Sequence, residues 1–77
     1  MDQLTKTQCQ VLGVLYENDN EWLTPREIQK RCQVNLTHID KELKKFMNGD
    51  LVYQPTIESE FLISPDGKSA YLSHCSR

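Results

Sequence analysis

The sequence predicts a small α+β fold in which three helices precede an antiparallel β-hairpin and a short C-terminal segment. Apolar residues recur at helical spacing in three separate segments before Gly49. Two short apolar runs, "LVY" and "EFLI", follow and have the composition of paired strands. The chain has 77 residues, a length that suits one domain with a single modest core.

The first two helices are separated by the polar run "ENDNE", which ends the apolar stripe of the first helix near Asn18. The first helix is expected to begin at Thr5 and to bury Leu4, Val11, Leu12 and Leu15. The segment "LTPRE" then predicts the start of a second helix, because it combines a threonine N-cap, a proline at the first helical position and a glutamate three residues after the threonine. This helix is expected to end near Cys32 and to bury Ile28. "WL", just before it, is expected to form a very short strand.

The third helix is predicted from "NLTHIDKELKKFMN", with Asn35 as its N-cap. On a helical wheel its core face consists of Leu36, Ile39, Leu43, Phe46 and Met47. The opposite face is polar and basic, with Thr37, His38, Lys41, Lys45 and Asn48, and Lys44 nearby. Gly49 is expected to end the helix and to lead into the first strand.

Charge is unevenly distributed along the chain. Nine basic residues against 11 acidic residues give a net charge of −2. Between Arg26 and Lys45 there are six basic and three acidic residues, net +3, whereas the remainder has three basic and eight acidic residues, net −5. The second and third helices are therefore the basic pole of an acidic protein, and a basic pole favours contact with phosphate.

The order of these elements resembles the winged helix-turn-helix family, and more narrowly the small bacterial regulators of the MarR and PadR type. The matching segments are "TQCQVLGVL", "LTPREIQKRCQVN", "LTHIDKELKKFMNGDLV" and "FLISPDGKSAYL". The resemblance implies a single winged-helix domain over residues 1–77, with the helix-turn-helix at about 24–48 and the wing at about 51–64. Two features depart from the family. The wing tip "TIESE" is acidic where the family often carries arginine or lysine, and 77 residues leave no length for the long extra helices of the family's dimers.

The segment "SPDGKSAYLSHC" admits two structures. Proline, aspartate and glycine in succession are typical of a tight turn, which would lead into a third strand. Alternatively, Ser64 caps a last helix that begins at Pro65 and has Tyr71, Leu72 and Cys75 as its apolar stripe. The family resemblance favours the helix.

The resemblance implies a DNA-binding transcriptional regulator or accessory factor that reads the major groove of double-stranded DNA with the helix at about 36–48. The candidates for base edges are Thr37, His38 and Lys41. The candidates for positioning contacts to phosphate are Lys44, Lys45, Arg26 and Lys30. A homodimer is expected because one small module neutralises few phosphates. The alternative is a winged-helix module that binds a protein partner through its acidic wing, and the acidic balance of the chain favours this alternative.

Enzymatic activity is not expected, since the sequence has no nucleophile elbow, no phosphate-binding glycine loop and no carboxylate pair on a rigid scaffold. No cofactor is expected, and the histidines and cysteines lack the spacing of a zinc site, so no metal is expected either. The sequence contains no apolar segment of membrane-spanning length and no secretory signal. We therefore expect a cytoplasmic protein with no membrane contact.

The cysteines Cys9, Cys32 and Cys75 are odd in number, far apart and without a C-x-x-C pair. This pattern is more typical of thiols in a reducing compartment than of a disulfide scaffold. Cys9 is expected to be a small core residue. Cys32 is either a small core residue, which is favoured, or a redox-sensitive thiol at the end of the second helix.

Overall fold

Helices and strands occur in the predicted order. The computed structural model describes residues 4–53 and 60–75. The helices are α1 (Lys6–Glu17), α2 (Pro25–Cys32), α3 (Leu36–Asn48) and α4 (Pro65–His74), and the strands between α3 and α4 are β1 (Val52–Tyr53) and β2 (Leu62–Ile63). The predicted α+β fold is confirmed, and the C-terminal segment is a helix. Among the helices that the structure describes, none is both long and apolar enough to cross a membrane.

Side-chain caps determine where the first three helices begin. Thr24 forms the predicted capping box, in which its hydroxyl accepts from the Glu27 N–H at 3.2 Å and the Glu27 carboxylate accepts from the Thr24 N–H at 3.0 Å. Thr5 forms a second capping box with Gln8 at the start of α1. Asn35 caps α3 through its side-chain oxygen, which accepts from the Thr37 N–H at 2.8 Å.

The turn between α2 and α3 depends on a left-handed residue. Gln33 has φ 58° and ψ 27°, and its N–H donates to the Gln29 carbonyl at 2.8 Å. A left-handed C-cap satisfies the last carbonyls of a helix and reverses the chain direction. Glycine usually occupies this position because it has no Cβ. The turn is therefore tight enough to bring α3 against α2 within three residues.

The two strands form an antiparallel pair in which Val52 lies opposite Ile63 and Tyr53 lies opposite Leu62. Leu23 extends this pair as an isolated bridge to Phe61, with N–H to carbonyl distances of 3.0 and 2.8 Å. The short strand expected at "WL" is thus a single bridge residue. The wing tip "TIESE" lies outside the described residues except for Glu60.

The core lies between the helices and the inner side of the sheet. Three of the four residues that the sequence predicts for the first helix, Val11, Leu12 and Leu15, are fully buried, and the fourth, Leu4, is 9% exposed. From α2 and α3 the core receives Ile28, Ile39, Leu43 and Phe46. Leu36 and Met47, which were also predicted for the core face, are half-buried. Helix α1 packs against α2, α3 and α4 and is the central element.

Helix α4 begins in a close contact with the chain that enters β1. The hydroxyl of Ser64, which is 3% exposed, accepts from the Gly67 N–H at 3.0 Å and donates to the Asp50 carbonyl at 2.6 Å. A Cβ on residue 67 would overlap the carbonyl oxygen of Leu51 and lie 2.8 Å from Cγ1 of Ile63. Glycine is therefore required in the first turn of α4 by space, and not by backbone conformation.

The predicted apolar stripe of α4 is wrong at Leu72, which is 52% exposed. The residues of α4 that meet α1 are Tyr71 and Cys75, which are spaced four residues apart. Leu72 is one residue beyond Tyr71 and so projects about 100° away from it around the helix. The Tyr71 ring lies over Gly13 and stacks on Tyr16 with ring centroids 4.7 Å apart.

The expectation that the cysteines remain thiols is also wrong, because Cys9 and Cys75 are joined in a disulfide. The last turn of α4 lies against α1 and brings the two Cα atoms to 5.5 Å, within the range that a disulfide requires. A separation of 66 residues gave no indication of this proximity. Cys32 is a free, half-buried cysteine.

Candidate nucleic-acid interface

The outward face of α3 carries all the residues that the sequence predicts for it. Burial of Ile39, Leu43 and Phe46 fixes the rotation of the helix about its axis. The exposed residues are Thr37, His38, Lys41, Lys44, Lys45 and Asn48. The three candidates for base edges therefore share one exposed surface in the first half of α3.

A cleft of about 280 Å³ lies along one side of this surface, between α3 and the N-terminus of α1. Its walls are Thr5 and Thr7 from α1, and His38, Lys41, Glu42 and Lys45 from α3. The backbone N–H groups in the first turn of a helix have no intrahelical acceptor, so this end of α1 presents partial positive charge to the cleft. Two lysines and a helix N-terminus thus border the same cleft.

Thr7 is a candidate contact that the sequence analysis missed. The available signal was the "TKTQ" sequence, in which Thr5 and Gln8 have the spacing of a capping box and mark the start of α1. That signal locates the helix N-terminus along the chain. Only the tertiary packing of α1 on α3 brings it beside Lys41 and Lys45.

Glu42 lies in this cleft, and its carboxylate is engaged by two neighbours. Its side chain is 12% exposed, pairs with Lys45 Nζ at 3.6 Å and accepts from Nε2 of Gln8 at 3.4 Å. The ion pair holds Lys45 toward the α1 side of α3 while the lysine stays mostly exposed. The acidic charge within α3 is therefore partly balanced inside the protein.

A second hollow, of about 300 Å³, lies on the other side of α3 against the start of α2. It is lined by Thr24, Pro25, Arg26, Leu36 and Asp40. Arg26 is exposed here, and Lys30 is exposed one turn later on the same face of α2. Asp40 is also exposed and lines the same hollow as Arg26.

Hydrogen bonds hold the pKa of Glu27, in the first turn of α2, below its ordinary value. The backbone N–H of Thr24 is the largest cause, followed by the Thr24 hydroxyl, with smaller contributions from the charges of Arg31 and Lys30. A carboxylate that accepts hydrogen bonds resists protonation because the bonds favour its charged form. The capping box at the start of the helix-turn-helix is therefore ionic at neutral pH.

Four of the seven predicted site residues border one of these two depressions. His38, Lys41 and Lys45 border the cleft beside α1, whereas Arg26 borders the hollow beside α2. Thr37, Lys44 and Lys30 are exposed but line neither depression.

Within residues 4–53 and 60–75, no three histidine, cysteine, aspartate or glutamate side chains form a group that could hold a metal ion.

A solved structure has the same fold as this chain, including the arrangement of α2, the turn, α3 and the hairpin. A mutant of MepR from a multidrug-resistant S. aureus clinical isolate matches 96% of this chain with a TM-score of 0.79 at 22% sequence identity. The chain has the winged-helix fold of that structure. The resemblance predicted from the sequence is thus confirmed at the level of the fold.

In winged-helix terms, α2 and α3 are the helix-turn-helix, and β1 with β2 is the base of the wing. The chain spans 56% of the length of the MepR chain that it matches. No protein-family model matches the sequence, and no curated protein matches it.

Proposed function

We propose that this protein is a DNA-binding transcriptional regulator or accessory factor, and not an enzyme, which inserts α3 into the major groove of double-stranded DNA. The observation that carries the proposal is the outward face of α3, where six polar or basic residues are exposed on the recognition helix of a winged-helix fold. In a helix-turn-helix the early residues of the second helix reach base edges. Thr37, His38 and Lys41 have this role in the proposal.

Phosphate contacts flank the recognition helix on both sides. Lys44 and Lys45 extend the basic surface along α3, and Arg26 with Lys30 extends it along α2. The cleft beside α1 adds Thr7, whose hydroxyl and backbone N–H suit a phosphate oxygen. Such contacts fix the register of α3 on the duplex but carry no sequence information themselves.

The proposal includes a homodimer, and a single winged-helix domain over residues 1–77. The four cations assigned to phosphate contact at most about four phosphates, which predicts a slope of log K against log salt of roughly −3.6 for one protomer. Regulators of this size gain affinity by placing two recognition helices on two half-sites one helical turn apart. Light scattering of the protein with a duplex would report the stoichiometry, and one protomer per duplex would refute this part of the proposal.

A cytoplasmic location is also part of the proposal, because a regulator must reach the DNA. Disulfides are rare in cytosolic proteins, so the Cys9–Cys75 bond runs against this location. Alkylation of thiols in a freshly quenched cell extract separates the two cases. A cytoplasmic location predicts reduced Cys9 and Cys75 in the extract, and a fully oxidised pair would point to an oxidising compartment.

The test of DNA binding is charge reversal on the recognition helix, as Lys41→Glu with Lys44→Glu. The matched control is Arg31→Glu with Lys68→Glu, which changes the net charge equally. Arg31 lines a cleft between α1, α2 and α4, and Lys68 pairs with Asp19 at 3.1 Å, so both lie off the outward face of α3. The comparison therefore separates a loss of specific contacts from a loss of overall positive charge.

Affinity for a mixed-sequence duplex is measured by fluorescence anisotropy at several salt concentrations. The α3 variant is expected to bind at least about tenfold more weakly, because one lost contact of this kind costs about 1–3 kcal/mol. Its salt slope is expected to fall in magnitude by about 1, because Lys44 is the phosphate contact of the pair. Equal behaviour of the α3 variant and the wild-type protein would remove α3 as the DNA contact and favour a protein partner instead.

A further inference from the structure

The three cysteines, which are far apart in the sequence, line one open cleft of about 450 Å³. Cys9 is the fourth residue of α1, Cys32 is the last residue of α2, and Cys75 is the C-cap of α4. The cleft lies between the three helices, and Lys6, Arg31 and Tyr71 also line it. A half-buried free thiol therefore shares a solvent-accessible cleft with a disulfide.

We propose that this cleft is a thiol–disulfide exchange site in which Cys32 attacks the Cys9–Cys75 bond. The thiolate of Cys32 forms a bond to Sγ of Cys9, and the Cys9–Cys75 bond breaks with its electron pair on Sγ of Cys75. The proton lost by Cys32 goes to solvent, and the Cys75 thiolate takes one from solvent. One disulfide and one thiol are present before and after, so no oxidant or reductant is consumed.

Helix packing selects Cys9 as the sulfur that is attacked. Helix α1 packs against both α2 and α4, whereas α2 and α4 make little or no contact with each other. Cys9 is therefore the middle member of the three, and either partner reaches it by a movement at a helix end. Cys32 and Cys75 both occupy helix ends, where the backbone opens most readily.

Exchange moves the covalent link from one pair of helices to another. The Cys9–Cys75 bond ties α1 to the end of α4, whereas a Cys9–Cys32 bond ties α1 to the end of α2 and releases α4. The residue after Cys32 is Gln33, whose left-handed conformation forms the turn into α3. The exchange site is therefore next to the turn between α2 and α3. The inference does not depend on DNA binding.

The primary test is a time course on the wild-type protein in its oxidised form. The protein is held near pH 8 without added thiol, and samples are quenched with acid, alkylated and digested with trypsin. Lysine and arginine residues place the three cysteines on separate peptides, residues 7–26, 32–41 and 69–77. Mass spectrometry then reports which pair is linked and which cysteine carries the alkyl group.

We expect the alkyl group to move from Cys32 to Cys75 as a linked pair of peptides 7–26 and 32–41 appears. At least about a tenth of the molecules should convert, which corresponds to no more than about 1.4 kcal/mol between the two isomers. The rate should be independent of protein concentration, since the step is unimolecular. An alkyl group that stays on Cys32 throughout, or a rate proportional to concentration, would overturn the proposal.

Two variants test the choice of Cys9 and do not depend on the time course. Cys75→Ser keeps Cys9 with Cys32, and Cys9→Ser keeps Cys32 with Cys75. Both are equilibrated with the same mixture of reduced and oxidised glutathione, after circular dichroism has confirmed helix content. The first should form an internal disulfide and the second mainly glutathione adducts, and the reverse result would refute the assignment of Cys9.

Discussion

Ser64 offers a direct test of how the hairpin is joined to the last helix. Its hydroxyl makes two hydrogen bonds at once, to the Gly67 N–H at 3.0 Å and to the Asp50 carbonyl at 2.6 Å, and the residue is almost completely buried. Ser64→Ala removes an N-cap, which costs about 1 kcal/mol. It also leaves the Asp50 carbonyl without its donor, which adds roughly 1 kcal/mol or more. We expect a loss of about 2–3 kcal/mol.

For a domain of this length, each kcal/mol lowers Tm by about 4–8 °C, so Tm should fall by at least about 8 °C. Urea unfolding followed by far-UV circular dichroism measures the free energy directly. Ser69→Ala, an exposed serine in the same helix, is the control and should change stability by less than about 0.5 kcal/mol. Thr24→Ala, which removes an N-cap without a second element attached, should cost about 1 kcal/mol. If Ser64→Ala were no worse than Thr24→Ala, the bond to Asp50 would contribute nothing and the reasoning would fail.

Three further outcomes follow from the helix-turn-helix. Phe46→Ala should cost about 3–5 kcal/mol in thermal melts because the ring is fully buried, and a neutral result would mean that α3 is rotated from the orientation described. Gln33→Gly should raise the free energy of unfolding by roughly 0.5–1 kcal/mol in urea titrations, since glycine adopts the left-handed conformation without strain; a loss would contradict that account. The lowered pKa of Glu27 stabilises the fold above the ordinary value of 4.5, and this contribution disappears as pH falls through the lower folded pKa. Glu27→Gln keeps a hydrogen-bonding side chain but does not titrate. The difference in free energy of unfolding between this variant and the wild-type protein should therefore become smaller as the pH is lowered. A difference that is the same at every pH would count against the ionic capping box.

Local signals were sufficient for most of the fold. The threonine, proline and glutamate of "LTPRE" predicted the start of α2 because their effect is confined to one helical turn. The stripe of Ile39, Leu43 and Phe46 fixed which side of α3 faces inward because burial follows the helical period. The exposed candidates on the outward face follow from the same period, and their contact with DNA remains a prediction.

Local sequence signals could not predict which residues of different helices lie close together. Cys9 and Cys75 meet only because α4 lies along α1, and no spacing within either helix indicates that contact. Thr7 was missed for the same reason, because its proximity to Lys41 depends on how α1 packs on α3. Leu72 was wrongly placed in the core because an apolar residue next to the true stripe resembles a member of it.

The contact between the first turn of α4 and the Leu51 carbonyl restricts how this sequence can diverge. No side chain fits at residue 67, whereas Asp66 is exposed and Lys68 is only half-buried. In a saturation library, variants at those two neighbours should persist while every replacement of Gly67 is depleted. Distant relatives would then be recognised by a glycine two positions after the proline that opens the last helix. Such a signature would identify proteins that share this fold even where the residues on the outward face of α3 have changed completely.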